Sequence, residues 1–400
     1  MSTSLLNHAY GITGVQYKST EHLEGEIIFK AKIDRNSIQC PRCESKNFRF
    51  KGRKIRRFRM VPFGRKKCFL EVEFHRAECH DCEKLWWPSL PFMCGVRRMV
   101  KGLFNYICDL LQMSTIKDVA QHIGISWGVV KIIHTVVLRK KYRHIDISEI
   151  EYIGIDEFSL KKGHEYMTIF INLKTGRIVH AVKGRDGKAI QAFLRRLKRK
   201  ARKLKAIAMD MSAAYISAVK EILPDIDIVF DRFHVQGLMS KAIDDIRRRQ
   251  QSTLTADQTK ALKGCRYVLL RGYENLSSVD HERLLTLIST NAPLYTAYLL
   301  KEQLRAFWEK KSLKEGAGFL LAWVMDAIDS GIPELRQVAN TLMSHHVELL
   351  NYFKHRITNG RTEGINNKIK TLKRQVYGYR DLEYFKLRLY HLHMSRYAFL

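Results

Sequence analysis

The 400-residue sequence predicts a multidomain α/β protein: a zinc ribbon, a helix-turn-helix, and a ribonuclease-H-like catalytic domain with an α-helical insertion. Three observations carry this expectation. Two Cys-x-x-Cys pairs flank a stretch of alternating apolar residues. From Tyr152 to Phe230 come three strand-like runs, a helix, a strand, a helix and a fifth strand, the first and fourth strands running out into aspartate. Near the C-terminus a basic, helix-compatible run holds one acid, Glu363.

The formal net charge is +30, from 70 Lys+Arg against 40 Asp+Glu, and it is concentrated. Arg42 to Lys67 holds twelve Lys/Arg and the single acid Glu44; Lys183 to Lys205 holds eleven and the single acid Asp186. A block of like charge can be a merely solvated face. Recurrence in separate segments favours a polyanionic partner, most economically nucleic acid. The N-terminus shows no basic-then-apolar leader, and no apolar run approaches the roughly 18 residues of a membrane span. No membrane is expected. Four of the eight cysteines stand in pairs, which reads as thiols and metal in a reducing cytoplasm.

Residues 1–95 are expected to form the zinc-binding module. Cys40-Pro41-Arg42-Cys43 and Cys79-His80-Asp81-Cys82 each offer two thiolates, and together they complete the closed tetrahedral shell of structural zinc. Cys68, Leu70, Val72 and Phe74 alternate with Phe69, Glu71, Glu73 and His75, so the intervening chain is stranded. The knuckles lie further apart than the common spacing of about 15–20 residues, which predicts an extra hairpin between them. Arg56, Arg57 and Arg59 are expected to meet DNA phosphates. Cys68, Cys94, Cys108 and Cys265 read as small buried hydrophobes.

Residues 96–145 carry three helical periods, with Gly124-Ile125-Ser126 as a turn and Ser126 a candidate N-cap of the third. A small Ala in the second helix and Gly in the turn suit a helix-turn-helix, which puts Ser126, Trp127 and Lys131 at the major groove. An ordinary three-helix packing unit shares this pattern.

Residues 146–235 form the first part of the catalytic core. In the predicted strand order the first and fourth strands are neighbours, so Asp156 and Asp210 approach each other. Close carboxylates repel unless a cation lies between them, and magnesium takes hard oxygen ligands while keeping several waters. Alternation puts Glu157 on the opposite face from Asp156. Residues 236–355 are helical in period and read as an insertion, and residues 356–400 return to the core with the third acid. On that last helix Glu363, Asn366, Asn367, Lys370, Lys373 and Arg374 share one face; Ile365, Ile369, Leu372 and Val376 share the other. The acid can hold metal while Lys370, Lys373 and Arg374 hold phosphate oxygens.

With its parts in this order the chain resembles the ISL-three family of bacterial insertion-sequence transposases over essentially its whole length. The two knuckles carry the resemblance, with Gly154-Ile155-Asp156-Glu157-Phe158, Asp231-Arg232-Phe233-His234-Val235, and Arg361-Thr362-Glu363-Gly364-Ile365-Asn366-Asn367. The resemblance implies a transposase that binds its element's terminal repeats, cuts there and joins the 3′-hydroxyl to target DNA. It implies Asp156, Asp210 and Glu363 as a catalytic triad holding Mg2+ (or Mn2+), with Asp231 and His234 as an accessory Asp-x-x-His element. A homodimer on paired ends and a cytoplasmic, nucleoid-associated location are expected. The opposed reading is a non-catalytic DNA-binding regulator derived from such an enzyme.

Overall fold

The computed structural model describes residues 5–95, 98–161, 165–251, 265–376 and 379–392, except the side chains of Ile288, Thr290, Arg361 and Glu363. The chain divides into two compact units, Met1–Arg143 and His144–His393.

In the first unit β1 (Val15–Leu23), β2 (Glu26–Ile33), β3 (Phe48–Arg59), β4 (Lys67–Cys79) and β5 (Leu85–Trp86) form one sheet. Its order is β1-β2-β4-β3, with the short β5 also on β4. Along β4 the period-two pattern holds: Cys68, Leu70, Val72 and Phe74 are fully buried. No extra hairpin separates the knuckles. The spacing is taken up by strand length instead, β3 and β4 running 12 and 13 residues from Phe48↔Cys79 to Arg59↔Phe69. The additional strands come from upstream, β2 lying parallel to β4.

A short α1 (Leu5–His8) precedes the sheet, and α2 (Lys101–Met113), α3 (Ile116–Ile123) and α4 (Trp127–Lys141) follow it. Thr115 and Asp118 form a reciprocal capping box at the start of α3, and Gly124 ends it at φ 71°, a left-handed conformation glycine adopts without a Cβ clash. The axes of α3 and α4 then bend by 120°. Ser126 occupies the N-cap position of α4, but its side chain makes no capping hydrogen bond. Leu103, Ile107, Val119, Ile123, Val130 and Ile133 share one core with Leu70, Val72 and Phe74 of the sheet. The boundary expected at residue 95 is therefore not a boundary in packing. A small sheet with one apolar face needs a cover, and these helices supply it.

In the second unit β6 (Tyr152–Ser159), β7 (Tyr166–Asn172), β8 (Ile178–Lys183), β9 (Ala206–Met209) and β10 (Asp227–Phe230) make a sheet of order β10-β9-β6-β7-β8. β6, β7 and β8 pair antiparallel, while β9 and β10 run parallel to β6. α5 (Gly187–Lys200) and α6 (Ala213–Ile222) make the crossovers. After β10 come α7 (Arg232–Gln251), α8 (Arg266–Leu270), α9 (Ser278–Thr290), α10 (Ala292–Arg305), α11 (Leu313–Asp329), α12 (Pro333–Ser344) and α13 (His346–His355). Among the described residues no strand interrupts that stretch. α14 (Gly360–Gln375) and α15 (Leu382–His391) close the unit.

Strand alternation gives the sheet two buried faces. Ile153, Ile155, Phe170 and Val179 join Phe193 and Leu197 of α5 in a core that continues through the helical stretch to Phe353. Phe158, Met167, Ile169 and Ile178 face the other way, onto Ile365, Ile369 and Leu372 of α14 and Phe385 and Leu389 of α15.

α14 lies along β6, and three contacts set its register. Gly154 faces the start of the helix: a Cβ there would stand 2.8 Å from Asn359 Oδ1 and 2.9 Å from Leu173 Cδ2. Asn366 Nδ2 donates to Asp156 Oδ2 at 2.6 Å. Lys373 Nζ donates to the Ser159 carbonyl. Asn359 and Thr362 are buried polar residues that satisfy each other over the glycine. Gly154→Ala should therefore cost about 1–3 kcal/mol in urea unfolding, the usual penalty of overpacking. Amide exchange should quicken in α14 before it does in β9; unchanged stability and exchange would show that the helix tolerates the methyl.

Candidate active site and zinc centre

The four knuckle thiols converge. Cys40 Sγ lies 3.5 Å from Cys82 Sγ, and Cys43 Sγ lies 3.5 Å from both Cys79 Sγ and Cys82 Sγ. These separations are far beyond the roughly 2.05 Å of a disulfide and suit sulfurs around a zinc at about 2.3 Å each. The two turns are built alike. Glu44 N–H donates to the Cys40 carbonyl at 2.9 Å and Glu83 N–H to the Cys79 carbonyl at 3.1 Å, with φ of 59° and 58° at the two glutamates. Asp81 ties the knuckles together, accepting from Ser45 Oγ and, at 3.1 Å, from Asn47 Nδ2. Of the other cysteines, Cys68 and Cys265 are buried as expected, while Cys94 and Cys108 are half-buried.

In the second unit, strand register gathers the acids. Gly154 pairs with Ala208, and Phe230 with Met209. Two residues further along β6 and one beyond the ends of β9 and β10, Asp156, Asp210 and Asp231 stand in a row across three parallel strands. Neighbouring strands lie about 4.8 Å apart, so the row is also a charge cluster. Asp210, Asp231 and His234 bring ligand atoms within 4.8 Å of one another, and His234 Nε2 is 2.9 Å from Asp210 Oδ1. Burial pushes the Asp156 carboxyl up to about 6, and the charge of Asp210 adds to this; the Glu157 N–H and the Asn366 amide pull it down. Burial likewise raises Asp231. His234 is raised chiefly by its contact with Asp210, against its own burial. Asn366 Oδ1 is buried without a hydrogen-bond donor, and Asp210 Oδ1, also buried, meets only His234. Clustered carboxylates with an unsatisfied amide oxygen beside them fit a divalent cation.

Glu157 points the other way, where Tyr215 Oη of α6 donates to it at 3.0 Å. Position 363 lies one helical turn before Asn366 on α14; the Glu363 side chain lies outside the described residues. Lys370 and Arg374 are exposed and Lys373 is half-buried. Trp127 is exposed and Lys131 half-buried on α4.

The arginines expected to meet phosphates also have partners within the protein. Arg57 pairs with Glu26 at 2.7 Å and stacks 3.8 Å from the Phe69 ring centroid. Arg59 Nη2 donates to the Ile123 carbonyl at 3.0 Å, which ties β3 to α3. Arg56 lies over Phe74 and Trp87. Arg56, Arg57 and Arg59 are half-buried, whereas Arg49, Lys51, Arg53 and Lys54 are exposed on β3. Sequence reasoning also missed Asn366 as the partner of Asp156, and Gly154 as the seat of α14. A lone glycine inside an apolar strand is a known sign of close backbone approach, so that signal was present.

Residues 153–389 match the transposase family model of the ISL3 type, and residues 36–82 match the zinc-finger of transposases IS204, IS1001, IS1096 and IS1165. The chain belongs to the ISL3 transposase family. It is 32% identical to the transposase for insertion sequence element IS1001 of Bordetella parapertussis, over 95% of this chain and 94% of that one. It is 26% identical to the transposase for insertion sequence element IS1557 of Mycobacterium tuberculosis, over 92% and 89%. Among solved structures, the Drosophila P element transposase strand transfer complex superposes with a TM-score of 0.36 at 12% identity, covering 74% of this chain and 93% of that chain. The chain is thus an insertion-sequence transposase of the DDE type with a zinc ribbon.

Both centres can be tested by substitution. For zinc, the double substitution Cys79→Ser, Cys82→Ser should abolish stoichiometric metal and lower the melting temperature of the first unit. Full zinc content in that variant, measured by atomic absorption, would refute a four-thiolate site. For the acid row, Asp156, Asp231 and His234 all hold protons more tightly folded than unfolded. Stability of the metal-free transposase therefore falls as pH rises through their folded values. The Asp156 share spans its ordinary 3.8 to about 6. Asp156→Asn should flatten the decline in Tm across that window and leave the decline due to His234; a variant curve parallel to wild type would remove Asp156 as its cause.

Proposed function

We propose that this transposase recognises the terminal repeats of its own element with the first unit and cuts and rejoins DNA with the second. The carrying observation is the row Asp156, Asp210 and Asp231 at the ends of β6, β9 and β10, with Asn366 of α14 on Asp156. On this reading the sheet is a ribonuclease-H-like core with a helical insertion at 236–355, and Asp156, Asp210 and Glu363 are the catalytic acids. Magnesium (or manganese) held by these residues would supply Lewis-acid activation of the attacking oxygen and stabilisation of the leaving one.

In the first step water attacks the phosphorus at the element end; the bond from phosphorus to the 3′-oxygen breaks, and that oxygen takes a proton. In the second step the freed 3′-hydroxyl attacks a target phosphorus and displaces another 3′-oxygen. No covalent enzyme intermediate is needed. His234, whose hold on a proton is strengthened by Asp210, would keep a proton near the leaving oxygen. Asn366 orients Asp156 through its amide, and Lys370 would contact a phosphate of the strand being cut.

For recognition, the 120° bend between α3 and α4, with the left-handed Gly124 in the turn, supports a helix-turn-helix that presents Ser126, Trp127 and Lys131 to the major groove. Arg56, Arg57 and Arg59 would contact phosphates together with the exposed Arg49, Lys51, Arg53 and Lys54 of the same strand. Structural zinc holds the ribbon. Pairing two ends calls for a homodimer, acting on the nucleoid in the cytoplasm.

The test is cleavage of a supercoiled plasmid carrying the element's ends, identified by the inverted repeats that flank its gene, with magnesium supplied. Glu363→Gln keeps side-chain shape but removes the charge a cation requires. Cleavage and strand transfer should fall by several orders of magnitude, as for Asp156→Asn and Asp210→Asn, with end binding retained. Glu383, exposed on α15 and paired with Lys386 at 2.9 Å, is the control, and Glu383→Gln should cut near the wild-type rate. Normal cleavage by Glu363→Gln would assign the third ligand elsewhere, and binding without any cleavage by the wild type would favour a non-catalytic regulator.

A further inference from the structure

Beyond the acid row, α14 continues into an open groove of about 1200 Å³ between its C-terminal half, the end of β6, the edge strand β8 and the segment leading into α15. Six cations line it: Lys161, Lys183, Lys370, Lys373, Arg374 and Arg380. Glu165 is the one acid among the lining residues, giving six positive charges against one negative, or +5. Glu165 meets Lys183 at 3.0 Å and Lys161 at 3.8 Å, so it offsets only part of that charge. These cations come from four separate segments of the chain and converge on one channel. Without a polyanion they repel one another.

The register of α14 on β6 sets how far this channel lies from the acids. Asn366 meets Asp156 and Lys373 meets Ser159. From Asp156 to Ser159 is three strand residues, about 10 Å. From Asn366 to Lys373 is seven helix residues, again about 10 Å. A duplex strand carries one phosphate per roughly 3.4 Å of axis, so about 10 Å corresponds to about three nucleotides.

We propose that the groove holds the backbone of the DNA strand about three nucleotides to one side of the bond being cut. This rests on the functional reading above and adds to it a defined track for the DNA past the acids. The track contacts phosphates, so it contributes affinity and alignment of the cut strand, and it carries no base preference.

The test pairs chemical change in the DNA with charge removal in the full-length protein. End duplexes would each carry one neutral methylphosphonate, at positions one to six nucleotides on either side of the cut. Wild type would be compared with the double variant Lys183→Ala, Arg380→Ala, whose residues lie outside the acid row. The variant should keep the wild-type melting temperature, raise KM for unmodified ends about fivefold or more, and hold kcat within about twofold. Its log-affinity against log-salt slope should be shallower by about 2, near 0.9 for each phosphate no longer neutralised. A neutral linkage about three nucleotides to one side should weaken wild-type binding by a similar factor and leave the variant's binding unaffected. Unchanged KM and slope in the variant, or equal interference in both proteins, would overturn the groove assignment and point instead to an acidic protein partner. Interference read by binding needs no cleavage, so a wild type that binds ends without cutting counts against the functional reading alone.

Discussion

Asp156 can meet a side chain 210 residues later in the chain only because β6 carries no side chain at position 154. The approach of α14 to the sheet is limited by that strand's surface, and the glycine lowers the surface where the helix begins. Burial of Ile365, Ile369 and Leu372 then supplies the apolar driving force, on the order of 2 kcal/mol for each side chain fully removed from water. Asn366 and Lys373 set where along the strand the helix stops. The backbone position of residue 363 is thus a packing result, set by a glycine, an aliphatic helix face and two side-chain contacts to β6.

The electrostatics run against the composition. A chain of net charge +30 assembles three carboxylates at adjacent strand ends and surrounds them with few direct cations. His234 is the base that touches Asp210, and Asn366 offers Asp156 a neutral amide. The Lys/Arg residues stand further out, along the groove past Ser159. This separation leaves the acids clear of direct lysine pairing while the periphery stays strongly positive. Placing lysines directly on Asp156 and Asp210 would have neutralised the cluster and lowered its affinity for a cation.

Much of this was legible in the sequence. Apolar runs ending in aspartate, Ile153-Gly154-Ile155-Asp156 and Ile207-Ala208-Met209-Asp210, gave strands whose parallel pairing aligns their ends. The knuckles, with alternation between them, gave the ribbon's central strand. What escaped depends on contacts between distant segments. The partners that Arg57 and Arg59 have within the protein, Glu26 and the Ile123 carbonyl, both come from outside β3. The extra hairpin was an error of the same kind, since length between knuckles cannot distinguish longer strands from additional ones. The capping box of Thr115 and Asp118 is local in sequence yet was not read there.

The family's zinc-finger match begins at residue 36, whereas β4 has two long neighbours, β3 on one side and β2 on the other. The segment that pairs with β4 at Glu26–Lys32 therefore lies upstream of the recognisable finger. A fragment cut at the motif boundary would retain all four thiols and still bind zinc. It would also present seven residues of unpaired backbone, Lys67–Glu73, beside the uncovered side chains of Leu70 and Val72. Open strand edges of that kind template edge-to-edge association. The ribbon is thus a metal site by motif and a soluble fold only with its first 35 residues, so excised fingers of this type should be handled as aggregation-prone pieces of a larger sheet.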